Sequence, residues 1–373
     1  MEKSILAGFV VNLLQDVNVL RPVVYLTSDD LGLKPLIFIT PAFVKRDKQN
    51  IWTRQLTSLA QDTNGCIHLI SSSLQVWRLL NEASHGFLMS ASESDLDAHK
   101  ETHELFKYCP GKIKCITLQH GFECVGFLMN KNHQNVYGYS VGFAADYICG
   151  WTPLPLQRNL RPQQRSRYIC TGPAAWITMT SKRKLAGASH SVAKKIGIVC
   201  ENLHSVRHGT QSNINLFMEQ FLQLAADLYS IGEEVALRPH PGGQYTIKNN
   251  IKLPDNVVVE NRPSYEVDWA NYSYGISAPS SVLFDLIVNN VPAMVWQDPG
   301  QVIDITQVAY LPVAQSACDM FSFAQMPLNL VFADASRQLS SILKNPDVVR
   351  RNFVELLSDI TRLKGKSCST WKE

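Results

Sequence analysis

Four short stretches of the chain hold side chains able to do chemistry, and each follows an apolar run. In EVALRPHPGG (residues 234–243), Arg238 is followed by His240 between Pro239 and Pro241. Each proline fixes its own φ and biases the residue before it toward an extended backbone, so His240 is restricted from both sides. An imidazole held in this way can donate to a phosphate or protonate a leaving oxygen. Arg238 adds a permanent charge suited to a phosphate or carboxylate, and Gly242 and Gly243 permit close backbone approach. The plain alternative is a rigid loop that happens to contain a histidine.

In YGISAPSSVLFDLIVNN, Ser280 and Ser281 occupy the cap and first turn of a helix, where hydroxyls and unpaired N–H groups suit a phosphate. Ordinary helix capping would explain them equally. In ITLQHGFE (116–123), Gln119, His120 and Gly121 follow a strand and Glu123 comes two residues later, which puts a histidine and a carboxylate on one loop. A turn with incidental polar residues is the rival explanation. In GIVCENLHSVRHG, Glu201 and Asn202 follow a buried strand and precede His204, Arg207 and His208. A carboxylate emerging from such a strand is a candidate nucleophile or base, and equally a cap for the next helix. No pairing in these four stretches is read as a metal site, although the chain has one DxD triplet, Asp95-Leu96-Asp97, and histidines four apart at 99/103 and 204/208. GxGxxG and GxxxxGK[ST] are missing, which removes the usual support for dinucleotide and P-loop chemistry.

The elements that must position these residues follow one rhythm. RPVVYLTSDD, LKPLIFITPAF, GCIHLISSS, HGFLMSAS, KIKCITLQHG, ADYICGW and RYICTGPA read as buried strands, with helix-length segments at 50–62, 74–83 and 95–108. The rhythm breaks at 177–194 and restarts with KKIGIVCEN, a long helix near 213–230, EVALRPHP, NVVVENR, YSYGISAPSS, a helix from about 281, and VPAMVWQD. Alternating strand and helix predicts parallel sheets covered on both faces, and 373 residues predict two domains. The stretch from about 335 reads as helices with a basic face. Ligands of such open sheets bind beyond the carboxyl ends of the strands, where all four stretches fall.

The formal charge is +3, from 35 basic and 32 acidic side chains, too balanced to predict a nucleic-acid partner. The nine cysteines are scattered without a CxxC pair and read as buried thiols of a reducing compartment. The N-terminal MEKSILAGFVVNLLQD is a poor signal peptide, because its apolar run is short and Glu2 stands where positive charge belongs. No apolar run is long enough to span a bilayer, so the expected location is the cytosol.

Two α/β halves, a His-Pro after a strand of the second half and a Ser-Ser at a later helix start resemble the GT-B-fold bacterial transferases that use CMP-linked acidic sugars. These are the capsule and lipo-oligosaccharide sialyltransferases, the polysialyltransferases and the Kdo transferases. QHGF, CEN and RPHP together look most like the β-Kdo transferases of the WbbB and KpsC kind. The resemblance implies two Rossmann-like parallel-sheet domains facing a cleft, with residues 1–178 on the acceptor side and 179–373 binding the nucleotide sugar. It implies that His240, Pro241, Ser280 and Ser281 hold the CMP portion of the donor, with Arg238 beside them. Catalysis would fall to His240, Glu201, Glu123 and His120, with Gln119, Gly121, Asn202 and Arg207 near the donor sugar or the acceptor. One departure stands out: the capsule enzymes carry an acidic residue just before the glycine of the first-half loop, where this chain has Gln119-His120-Gly121.

The resulting expectation is a metal-independent glycosyltransferase without a cofactor. Its donor would be CMP-Kdo or a related CMP-sugar, and its acceptor a bacterial surface polysaccharide or lipid-linked precursor. Contact with the inner face of a membrane or with an assembly complex fits such an acceptor. The alternatives are a UDP- or CDP-sugar transferase, a nucleotide-sugar epimerase, or a non-catalytic glycan-binding subunit.

Overall fold

The structure, a computed structural model, describes residues 4–180, 195–203, 208–240, 243–327 and 329–361. In its first part the chain runs β1 (Leu6–Val11), α1 (Asp16–Asp29), β2 (Pro35–Ile39), α2 (Pro41–Arg46), α3 (Ile51–Asp62), β3 (Cys66–Leu69), α4 (Ser73–Glu82), β4 (Gly86–Ser90), α5 (Lys100–Lys107) and β5 (Ile113–Leu118). It continues through α6 (Lys131–Tyr137), β6 (Tyr147–Gly150) and β7 (Tyr168–Cys170). The seven strands form one parallel sheet in the order β3-β2-β1-β4-β5-β6-β7. All six residues of β1 are buried, as a strand covered by helices on both faces requires.

The second part runs β8 (Ile196–Glu201), α7 (Gln211–Ser230), β9 (Val235–Pro239), α8 (Tyr245–Lys248), β10 (Val257–Val259), β11 (Tyr272–Ser277), α9 (Val282–Val288), β12 (Ala293–Trp296), β13 (Val313–Ala314), α10 (Ala317–Gln325), α11 (Asn329–Ile342) and α12 (Pro346–Thr361). Its parallel sheet has the order β10-β9-β8-β11-β12-β13. Both sheets therefore start at an inner strand, grow outward on one side, then cross over and grow on the other. The crossover makes a topological switch point between β1 and β4, and another between β8 and β11. The core of the second part packs Phe217, Phe221 and Leu224 of α7 against Val199, Leu237, Ile276 and Trp296 of the sheet. Gly275 lets Leu286 of α9 lie directly on β11, because a Cβ there would meet Leu286 Cδ1 at 2.3 Å. This close approach fixes the turn carrying Ser280 and Ser281.

Two features differ from the sequence expectation. RPVVYLTSDD is the second half of α1, not a strand, and the first strand is Leu6–Val11. The valine pair suggests a strand, but Val17, Leu20, Val23, Val24 and Thr27 are buried at helical spacing, and packing overrides local propensity. The division into units is also not a single cut at 178/179. Residues 4–120, 140–180 and 344–361 form one compact unit, and 121–139 belong with 195–343 in the other. Helix α12 joins the first unit by burying Val349, Phe353, Leu356 and Leu357, and Asn352 Nδ2 donates to Thr171 O at 3.2 Å. Residues 121–139 join the second, with Phe122 packed 4.5 Å from Phe284 and Lys131 N–H donating to Asp304 at 3.2 Å.

None of the eight cysteines among the described residues is disulfide-bonded; four are buried, while Cys66 and Cys318 are exposed. No helix among the described residues is long and apolar enough to cross a membrane.

Candidate functional site

In the second unit, the carboxyl ends of β8, β9 and β11 carry most of the residues singled out by sequence. Glu201 ends β8 and is 1% exposed. Its Oε2 accepts from Thr246 N–H at 3.0 Å and from the Thr246 hydroxyl, while Oε1 is buried without a hydrogen-bond partner. Burial pushes its carboxyl above the usual range, opposed by the Thr246 hydrogen bonds and by the backbone N–H groups of Tyr245 and His240. Glu201 thus faces the loop after His240, and its depth separates it from solvent. The side chain braces the loop that follows His240.

Asn202, the next residue, spans the switch point by donating from Nδ2 to Pro279 O at 2.9 Å. Its own carbonyl accepts from His208 Nε2 at 2.9 Å, which ties a buried histidine to the same turn. His240 comes directly after β9 and is half-buried, and its carbonyl accepts from Gly243 N–H and Gln244 N–H at 3.0 and 2.8 Å. Gln244 takes φ 48°, a left-handed conformation that closes the turn. Pro241 and Arg207 lie outside the described residues.

Arg238 is held by neighbouring groups of its own unit. It is 4% exposed, donates to Arg262 O at 2.9 Å and to Ser264 Oγ at 3.0 Å, and lies over the Trp269 ring at 5.6 Å. Its guanidinium is committed to the loop after β10. The serines of the β11–α9 turn are both half-buried. Ser281 Oγ accepts from Phe122 N–H at 3.0 Å and makes no side-chain cap for α9, so its hydroxyl is linked to the QHGF segment. Gly121 leaves room for that contact, since a Cβ would stand 3.2 Å from Ser281 Oγ. Glu123 accepts from Asn130 Nδ2 at 2.7 Å, and Asn130 Oδ1 caps α6 by accepting from His133 N–H at 2.8 Å.

In the first unit, Gln119 is 1% exposed and serves as a clamp: its Oε1 accepts from Trp151 N–H at 2.9 Å and its carbonyl accepts from Trp151 Nε1 at 2.8 Å. His120 is half-buried, with Nδ1 3.0 Å from Ala91 O. A carbonyl only accepts, so Nδ1 carries a proton.

The same strand ends hold a polar cluster that the sequence expectation does not include. Asp16 Oδ2 accepts from the N–H groups of Asn12 and Leu13, both at 2.8 Å, and Oδ1 accepts from the Ser92 hydroxyl. Burial raises its carboxyl despite these bonds. His99 is hydrogen-bonded to Ser94 Oγ at 2.6 Å and packs edge-on to His120 with ring centroids 6.4 Å apart. Burial lowers its pKa to about 3, with the His120 charge the next contribution. In GFVVNLLQD the apolar run stops at Asn12 and Asp16 lies four residues on, so the stop of an apolar run is the signal that could have found both.

No protein-family model matches the sequence, and no curated protein sequence matches it either. Solved structures do share its architecture. A UDP-N-acetylglucosamine 2-epimerase is 13% identical over 99% of both chains with a TM-score of 0.60. The glycotransferase of kitacinnamycin is 12% identical over 96% of this chain and 99% of its own, with a TM-score of 0.58. The wall teichoic acid polymerase TagF is 12% identical over 94% of this chain and 90% of its own, with a TM-score of 0.55. At such identities the likeness establishes architecture: two Rossmann-like domains of seven and six strands, the GT-B fold.

Proposed function

We propose that the chain is a glycosyltransferase that holds a nucleotide-linked sugar at the carboxyl edge of the second sheet. The observation that carries this reading is the convergence there of Asn202, His240 and the Ser280–Ser281 turn around the β8/β11 switch point, within a GT-B fold. The donor is a CMP-linked acidic keto sugar, CMP-Kdo first among them, a choice that rests on the His240-Pro241 and Ser280-Ser281 resemblance. The acceptor is a surface polysaccharide or its lipid-linked precursor.

In this reading the departing phosphate gains charge, which His240 and the donors of the Ser280–Ser281 turn stabilise. Glu201 positions the His240 loop. His120, which donates a hydrogen bond from Nδ1 to Ala91 O, is the first candidate to take the acceptor hydroxyl proton as the new glycosidic bond forms and the bond to the phosphate breaks. Glu123, the carboxylate of the ITLQHGFE stretch, is the second candidate for that proton.

The test titrates CMP, CDP and UDP calorimetrically, with and without a chelator, and assays transfer with His240→Ala. CMP is expected to bind best and to be indifferent to the chelator. His240→Ala is expected to lose about 10²–10³ in turnover while melting like the parent, the usual effect of removing one preorganised donor. Preference for UDP with epimerisation of a UDP-sugar would make the chain an epimerase. Failure to bind any nucleotide would make it a glycan-binding subunit.

A further inference from the structure

The first unit carries a surface that the proposed chemistry does not use, at the carboxyl edge of β2 and β3. These are neighbouring parallel strands, with Ile39 and Leu69 in register and Ile70 N–H donating to Ile39 O at 2.9 Å. Helices α2 and α4 therefore rise from the same edge, one strand spacing apart. The corner between α2 and α3, residues 44–54, exposes Lys45, Arg46, Lys48 and Arg54, together with Val44 (45%) and Ile51 (42%). Its one carboxylate, Asp47, points inward and is buried, accepting from Trp52 N–H, Thr53 N–H and the Thr53 hydroxyl. The corner is thereby pinned from inside, and every charge it shows outward is positive. Among the described residues, none of the four cations pairs with a carboxylate. The nearest acid in sequence contact, Glu101, accepts from Ala42 N–H at the start of α2.

Helix α4 contributes the other half. Its inner face buries Val76 and Leu80, as an amphipathic helix should, but its outer face also shows Leu74 (56%), Trp77 (47%) and Arg78. Leu69, at the end of β3, is 58% exposed. A groove of about 280 Å³ lined by His68, Ser72, Leu74, Gln75, Arg78 and Leu79 lies at this place. Trp77 is the exposed tryptophan among the described residues; the other described tryptophans are buried.

We propose that this edge docks the protein on a bilayer rich in anionic phospholipid. Unpaired cations meet the negative headgroups, while Leu74, Trp77 and the aliphatic tips of the corner enter the headgroup–acyl boundary. Both halves are needed for the assignment. A soluble polyanion would use the cations but has no place for a tryptophan and three aliphatic side chains, whereas the interface suits an amphipathic indole. The inference stands whether or not the donor is CMP-linked, because it uses none of the residues of the candidate site.

The experiment follows the full chain with vesicles of phosphatidylcholine, with and without phosphatidylglycerol, by cosedimentation and by the Trp77 contribution to fluorescence. Binding is expected only to the anionic vesicles, with a blue shift, and to weaken with salt as screening shortens the range of the charges. Each unit of positive charge lost near an anionic surface weakens binding about fivefold, and Lys45→Glu with Lys48→Glu removes two cations and adds two anions, so binding should weaken by about 10²–10³-fold. Leu74→Ser with Trp77→Ser should also weaken vesicle binding but leave retention on immobilised heparin unchanged. Urea melts of both double variants check that the fold is kept, which the exposure of all four side chains favours. Absence of parental binding to anionic vesicles would overturn the proposal. So would variants that bind like the parent, or an apolar pair whose loss has no effect while heparin and vesicles are bound alike.

Discussion

The two units place an acid at the same point of the same topology and treat it differently. Asp16 comes just after β1 and Glu201 ends β8, the inner strands from which each sheet crosses over. Both are buried, and burial raises both carboxyls. Asp16 is matched by donors on both oxygens, two of them backbone N–H groups of its own turn. Glu201 is matched on Oε2 and left with an unpartnered Oε1. A carboxylate saturated by rigid backbone is a fastener. One that is half satisfied, against a loop carrying a left-handed residue, can respond to a group approaching that loop.

The sharpest test of this contrast is Asp16→Ala. It leaves the N–H groups of Asn12 and Leu13 buried and unpaired, at a cost of about 1–3 kcal/mol for each such group. A loss of about 3 kcal/mol in urea-derived stability is expected, with the transition still cooperative. A loss under about 1 kcal/mol would mean that the first unit does not depend on this turn.

Next in size is the pH dependence of the first unit. His99 titrates near 3 in the fold and at its ordinary value of 6.5 when unfolded. Between these values the unfolded chain binds the extra proton, so stability rises with pH and is lost as pH falls below 6.5. The slope from this one group approaches about 1.4 kcal/mol per pH unit within that window. His99→Gln should flatten the slope in melts taken from neutral pH downward. An unchanged slope would assign the acid sensitivity to other groups.

The smallest effect is expected for Glu201→Gln. The amide keeps an acceptor for Thr246 and removes a charge that burial disfavours, so stability at neutral pH should change by less than about 1 kcal/mol. The sign of the titration agrees. A carboxyl raised in the fold favours the protonated state, so the parent loses stability as pH rises from the ordinary carboxylate value through the raised one, and the variant should not. A destabilisation equal to that of Asp16→Ala would erase the difference between the two acids.

The sequence makes the second unit's site largely readable and the first unit's only in part. Glu201, Asn202 and the Ser280–Ser281 turn stand out because apolar runs stop abruptly at them, and a parallel sheet puts every such stop at one edge. Asn12 and Asp16 obey the same rule but are hidden, because the valine pair of α1 draws the strand reading past them to residues 21–30. The commitment of Arg238 to residues 262 and 264 is a pairing across more than twenty positions, which no local pattern encodes. The link of Phe122 to Ser281 spans 159 positions and belongs to the same class.

The return of α12 to the first unit has a consequence for the order of events at the ribosome. That helix buries Val349, Phe353, Leu356 and Leu357, and its Asn352 holds Thr171, yet all of the second unit is translated before it. At ordinary elongation rates the interval between residue 180 and α12 is on the order of ten seconds. During that interval the first unit lacks the helix that covers its apolar floor, while β8 to β13 are being synthesised. A nascent chain stalled before residue 346 should therefore expose apolar surface on its older half, and the unit made first should be the last to become complete.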